Sequence, residues 1–164
     1  MRALLRLIEQ RRRLVGDKSR ISNRLTNALK QYFPDVLDWF EAKDTPLFCD
    51  FLSRWPTLKQ LKAARRATLQ AFFCEHHARS PSALEERLRA IKNARAWTDD
   101  LAVIEPNRLL VLVLAEQLPV TLRAIERFDA EIARVGETLP DYALFRTLPA
   151  AGVTPCSPIA RRLR

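Results

Sequence analysis

The chain has 164 residues and a formal net charge of +9, with 28 Lys or Arg against 19 Asp or Glu. Three glycines in all are too few for a turn-rich sandwich or barrel, and the wealth of Leu, Ala, Arg and Glu favours helix. No apolar window is long enough for a membrane span, and charges at Arg2, Arg6 and Glu9 break up any signal-peptide core, so no membrane partner is expected and the expected compartment is the cytoplasm.

The first thirty-odd residues form an unbroken helical pattern. Leu4, Leu7, Arg11, Leu14, Lys18, Ile21, Leu25, Ala28 and Tyr32 recur at three- and four-residue steps and make one heptad-like seam. Two members of that seam, Arg11 and Lys18, are cationic. Met1 to Lys30 holds nine Lys or Arg against two acids, so most of the excess charge of the chain lies here. Arg6, Arg13 and Arg20 are seven residues apart and share a face, which Arg24 extends. At ~1.5 Å per residue that face runs for roughly 27 Å, enough to follow a groove or a strand. Arg makes bidentate phosphate contacts, so the candidate nucleic-acid-binding residues are Arg6, Arg12, Arg13, Lys18, Arg20, Arg24 and Lys30. The plainer reading of the same residues is a solvated basic face.

Pro34 ends this helix, and Asp35 is expected to cap a short helix, VLDWFEA. An aromatic run from Trp39 to Trp55 reads as a small core rather than a base-stacking surface. Within it Thr45-Pro46 opens a helix that Pro56 closes. Thr57 opens LKQLKAA, and ATLQAFFCEHHA (67–78) follows as a further helix, with Cys74 expected to pack as a small apolar group. Lys59, Lys62, Arg65 and Arg66 are either phosphate contacts or solvated. Ser80-Pro81 starts another helix, with Leu84, Leu88 and Ile91 as its apolar stripe and Arg87, Arg89, Lys92 and Arg95 as its basic flank, ending near Trp97.

Residues 98–106 read as a connection. A long helix is then predicted over 107–136, with Pro119 as a kink. Its first half, LLVLVLA, is apolar all round and should be buried. Its second half carries a seam, Leu118, Leu122, Ile125, Phe128, Ile132 and Val135, with more apolar surface than one short partner covers. That seam predicts a homo-oligomer. After Pro140 the texture changes, and the prolines and basic end of VTPCSPIARRLR read as an unpacked tail.

The residues offer little for catalysis. The acids are scattered, and there is neither a glycine-rich phosphate loop nor a Ser-His-Asp arrangement above chance. Cys74, His76 and His77 crowd one stretch of helix and cannot converge comfortably on one ion.

The order of segments resembles a known family. RRRLVGDKSRISNRLTNALKQYFP, TLQAFF-x-x-H, ALEERLRAIKNA, EPNRLLVLVLAEQLPVTLRAIERFDAEIA and DYALFRTLPAAG together look like the middle of the insertion-sequence-110 family of bacterial transposases, including the 116 and 902 types. The resemblance covers roughly Leu4 to Gly152. It implies an N-terminal ribonuclease H-like domain with four acidic metal ligands, then a helical coiled-coil segment that contributes to subunit association. A C-terminal domain follows in the family, opening at a Leu-Pro-x-x-Gly motif and supplying a nucleophilic serine. Active members recombine DNA under the guidance of a structured RNA. This chain departs from the pattern at both ends. The acidic quartet falls before its start, and Leu148-Pro149-Ala150-Ala151-Gly152 is followed by a divergent tail in which Ser157 lies too close to stand for the serine. No catalytic residue carries over, and a divalent metal is expected only of a full-length member.

The expectation is therefore an all-α, elongated helical hairpin or coiled coil with a small helical subdomain. Its divisions fall at 1–33 (basic helix), 34–80 (small helical subdomain), 81–140 (long hairpin) and 141–164 (truncated start of the C-terminal domain). The expected function is that of a bacterial transposase-family fragment, non-catalytic, that binds DNA or structured RNA and self-associates. The alternative is a helical protein-interaction module unrelated to transposition.

Overall fold

The computed structural model describes residues 2–76 and 81–137, and all of its regular structure is helical. There are six α-helices among the described residues: α1 (Arg2–Tyr32), α2 (Pro46–Arg54), α3 (Leu58–Ala63), α4 (Arg66–Glu75), α5 (Pro81–Asn93) and α6 (Leu101–Glu137). The expected tail and the Leu148–Gly152 motif, with Ser80 and His77, lie outside the described residues. Backbone contacts divide the chain into two compact units: residues 2–12 with 126–137, and Arg13–Ile125.

In the second unit one apolar cluster joins α1, the aromatic run, α3, α4, α5 and α6. Leu25, Leu29, Phe48, Phe51, Leu61, Phe73, Val111, Leu114 and Leu118 are among its fully buried members. The aromatic run is core, as expected: Phe51 meets Phe40, Trp55, Phe72 and Phe73 at ring separations of 4.9, 5.3, 5.9 and 6.0 Å. Most of these contacts are edge-on or tilted, the arrangement that ring quadrupoles favour. Helix α1 enters this core over its C-terminal third, burying Leu25, Ala28, Leu29 and Tyr32, with Ile21 packed against it. The Tyr32 hydroxyl donates to the Pro56 carbonyl at 2.8 Å, and burial raises the phenol pKa.

Two threonine caps stand where the sequence placed them. Thr45 Oγ1 accepts from the Phe48 amide and Thr57 Oγ1 from the Gln60 amide, each at 3.3 Å. Other boundaries differ. In place of an α-helix over VLDWFEA there is a 3-10 turn, Pro34–Leu37, without a side-chain cap. Trp39 and Phe40, just beyond that turn, are both buried. Helix α5 stops at Asn93, short of Trp97, where Lys62 Nζ donates to the Ala94 carbonyl and so satisfies that helix end.

Helix α6 starts at Leu101, six residues before the expected Asn107, because Asp100 Oδ1 accepts from the Ala102 amide at 2.9 Å. It continues through both Pro106 and Pro119. Its LLVLVLA stretch is not buried all round: Val111, Leu114 and Ala115 are inside, but Leu109 is 55% and Val113 49% exposed. No helix among the described residues is long and apolar enough to cross a membrane.

Candidate nucleic-acid interface

Helix α1 has no proline to interrupt it, and its one glycine, Gly16, faces open space. The two cationic seam positions are answered by acids. Within the first unit Arg11 forms a two-point ion pair with Asp129, Nε to Oδ1 and Nη2 to Oδ2, the latter at 3.2 Å. Within the second, Lys18 Nζ donates to Asp44 Oδ2 at 2.6 Å, and that bond holds the Asp44 carboxyl below its ordinary pKa. Lys18 is therefore tied into the fold.

The two acids of α1 are also engaged, each with an arginine one turn along. Arg12 bonds Glu9 through Nε at 3.1 Å and Nη2 at 3.3 Å, and Arg20 Nη2 meets Asp17 at 2.5 Å. These arginine side chains remain 78% and 73% exposed, and solvent screens such surface pairs, so phosphate can compete for both. Arg6, Arg24 and Lys30 are exposed and have no ion pair among the described residues. Arg13 is exposed but has a partner interaction of its own. Arg20 and Arg24 border an open groove of about 660 Å³, shared with Asp17 and Ile21 of α1 and with Glu116, Gln117, Val120 and Thr121 of α6.

A second group of cations lies on α3, α4 and α5. Arg66 is held by Glu85 at 2.5 and 2.7 Å, while Lys59, Arg65, Arg89, Lys92 and Arg95 are exposed. Arg87, counted by sequence among this basic flank, belongs to the core instead. Its Nε donates to the Trp39 carbonyl at 2.7 Å, and its guanidinium lies 5.0 Å from the Phe40 ring centre and 4.9 Å from that of Phe73. Burial lowers its pKa.

Cys74 is exposed rather than packed, and His76 stacks on Phe72 at 4.5 Å, 3.7 Å from Asp50. Among the described residues no three His, Cys, Asp or Glu side chains group as metal ligands would. Cys49 is buried, and desolvation pushes its thiol up to about 12.

The seam expected to bind a second copy is also partly spent inside the chain. Leu118 is fully buried in the second unit's core, and Ile125 is 9% exposed. The apolar residues that α6 leaves in solvent are Leu101, Leu109, Val113 and Val120. Sequence reasoning missed this stripe because LLVLVLA gives no polar marker of which side faces out. No family model matches the chain, and neither curated proteins nor solved structures supply a match.

Proposed function

We propose that this chain is a helical nucleic-acid-binding and self-associating part of a transposase-type recombinase, of the kind that the insertion-sequence-110 resemblance implies. One observation carries the binding reading. Within the second unit the acids beside α1, Asp17 and Asp44, are taken by Arg20 and Lys18, and Arg24 and Lys30 stand exposed on the helix. Unbalanced cations fixed on a rigid helix neutralise phosphates and release condensed counterions, which favours polyanions over neutral partners. In the second unit residues 17–24 of α1 and 116–121 of α6 line one groove.

A salt titration of duplex DNA binding tests this. Replacing Arg24 and Lys30 by Gln removes two phosphate contacts and should lower the magnitude of the log K against log salt slope by roughly 1.8. The loss should be similar for all sequences, because phosphate contacts carry no sequence information. An unchanged slope with unchanged affinity refutes the assignment of α1.

The alternative, a protein-interaction module, is favoured by the exposed stripe Leu109, Val113 and Val120, four and seven residues apart on α6. That stripe serves self-association in the reading proposed here. Sedimentation as a monomer at tens of micromolar would remove the oligomer from the proposal while leaving the binding reading intact.

A further inference from the structure

Trp97 is 72% exposed, whereas Trp39 and Trp55 are 8% and 5% exposed. Among the described residues no other Phe, Tyr or Trp is exposed. An indole left in water on a chain that builds its core from aromatics has no structural duty there, and its surroundings are cationic. Arg95 precedes it by two residues, and Lys92 lies on the last turn of α5. The bond from Lys62 Nζ to the Ala94 carbonyl fixes α3 against this end of α5. Lys59, one turn before Lys62, lines a cleft of about 820 Å³ together with Ala96 and Thr98, the residues on either side of Trp97. Two distant segments thus meet, and between them they carry one exposed indole and three cations left for a ligand, Lys59, Lys92 and Arg95, although the ring itself does not line the cleft. Lys59, Lys92 and Arg95 have no ion pair among the described residues.

We infer that Trp97 is a stacking platform for an unpaired nucleobase, and that Lys59, Lys92 and Arg95 hold the phosphates of the same single strand. A flat ring accepts any base on its face, and cations along the flanking backbone give the sequence-tolerant, salt-sensitive binding of single-strand sites. A duplex cannot use the ring, because its bases are stacked on one another. Two acids also line the cleft: Glu105 is paired with Arg108, and Asp99 opposes the phosphates. Asp100, by contrast, is committed to capping α6. The inference rests on the nucleic-acid reading, but it concerns a different surface from α1 and a different form of ligand.

The three-tryptophan chain provides its own reporter. Oligouridylate of about twenty nucleotides, titrated into the full chain, should quench the exposed component of indole emission. A duplex of equal length should leave that emission near its free value. Trp97→Leu should abolish the quenching and weaken oligouridylate binding about tenfold, with the salt slope unchanged. Lys59→Gln with Arg95→Gln should lower the magnitude of the slope by roughly 1.4, and Asp99→Asn should tighten binding. If Trp97→Leu binds oligouridylate as the parent does, the stacking site is refuted while the α1 interface stands. If polyglutamate quenches Trp97 as strongly as oligouridylate, the patch is a site for acidic proteins and the inference falls. Absence of binding to every polyanion at low salt would end both readings together.

Discussion

Replacing Arg87 by Met separates a structural cation from the interface cations beside it in sequence. Met keeps an unbranched apolar stem and fills similar space, so little cavity forms and the charge is what is lost. The donor to the Trp39 carbonyl at 2.7 Å disappears, and hydrogen bonds to charged groups are worth about 1.5–3 kcal/mol. The two ring contacts at 5.0 and 4.9 Å add about 0.5–1 kcal/mol each. Against these stands relief from desolvating a half-buried guanidinium, the effect that lowers its pKa. The net expectation is a loss of about 2 kcal/mol. For a unit of this size that is a fall of about 8 °C in Tm. Urea unfolding followed by circular dichroism measures it, with Arg89→Met as the control. Arg89 is exposed two residues along the same helix, and surface changes of that kind stay within about 0.5 kcal/mol. Equal unfolding midpoints for the two variants would falsify the placement of Arg87 in the aromatic core. Oligonucleotide affinity, conversely, should be indifferent to Arg87→Met once the variant is measured below its unfolding temperature.

Gly16→Ala should stabilise the chain by about 1 kcal/mol in thermal unfolding, because a Cβ there meets nothing within 4 Å and Ala is the better helix former; a destabilised variant would show that α1 is crowded at that point. Val113→Asp should leave the fold intact and dissociate any oligomer, whereas Leu118→Asp should unfold the second unit; sedimentation with circular dichroism distinguishes them, and identical behaviour refutes the division of α6 into an outer and an inner stripe. The Asp44 carboxyl is held low by Lys18, so this pair contributes its full stability above the ordinary carboxylate pKa of about 4 and loses it as pH falls through the depressed value. Asp44→Asn should flatten that acid limb in urea midpoints measured against pH, and an unaltered limb counts against the pair.

The sequence by itself determined that the chain is helical, where several helices begin, and that the aromatic run is core. These are local matters. Thr45 and Thr57 cap because their hydroxyls reach an amide three residues on, whatever the rest of the chain does. A three- and four-residue apolar period makes α1 a helix before it has any partner. The excess charge of α1 was equally legible, since it is only a count. Which of those cations are spent was not, because the acids that take Arg11 and Lys18 lie 118 and 26 residues away. Periodicity names a face but not what covers it, so Leu118 was assigned to a seam between copies and Leu109 to the interior, until packing put the first inside and left the second in water. Arg87 and Arg89 likewise read as one basic flank, and only the placement of Phe40 and Phe73 made one of them core. Trp97 shows the same limit from the other side. Tryptophan is mostly buried, and its exposure at position 97, just past the end of α5 that Lys62 holds, is a matter of packing that no local rule of sequence contains.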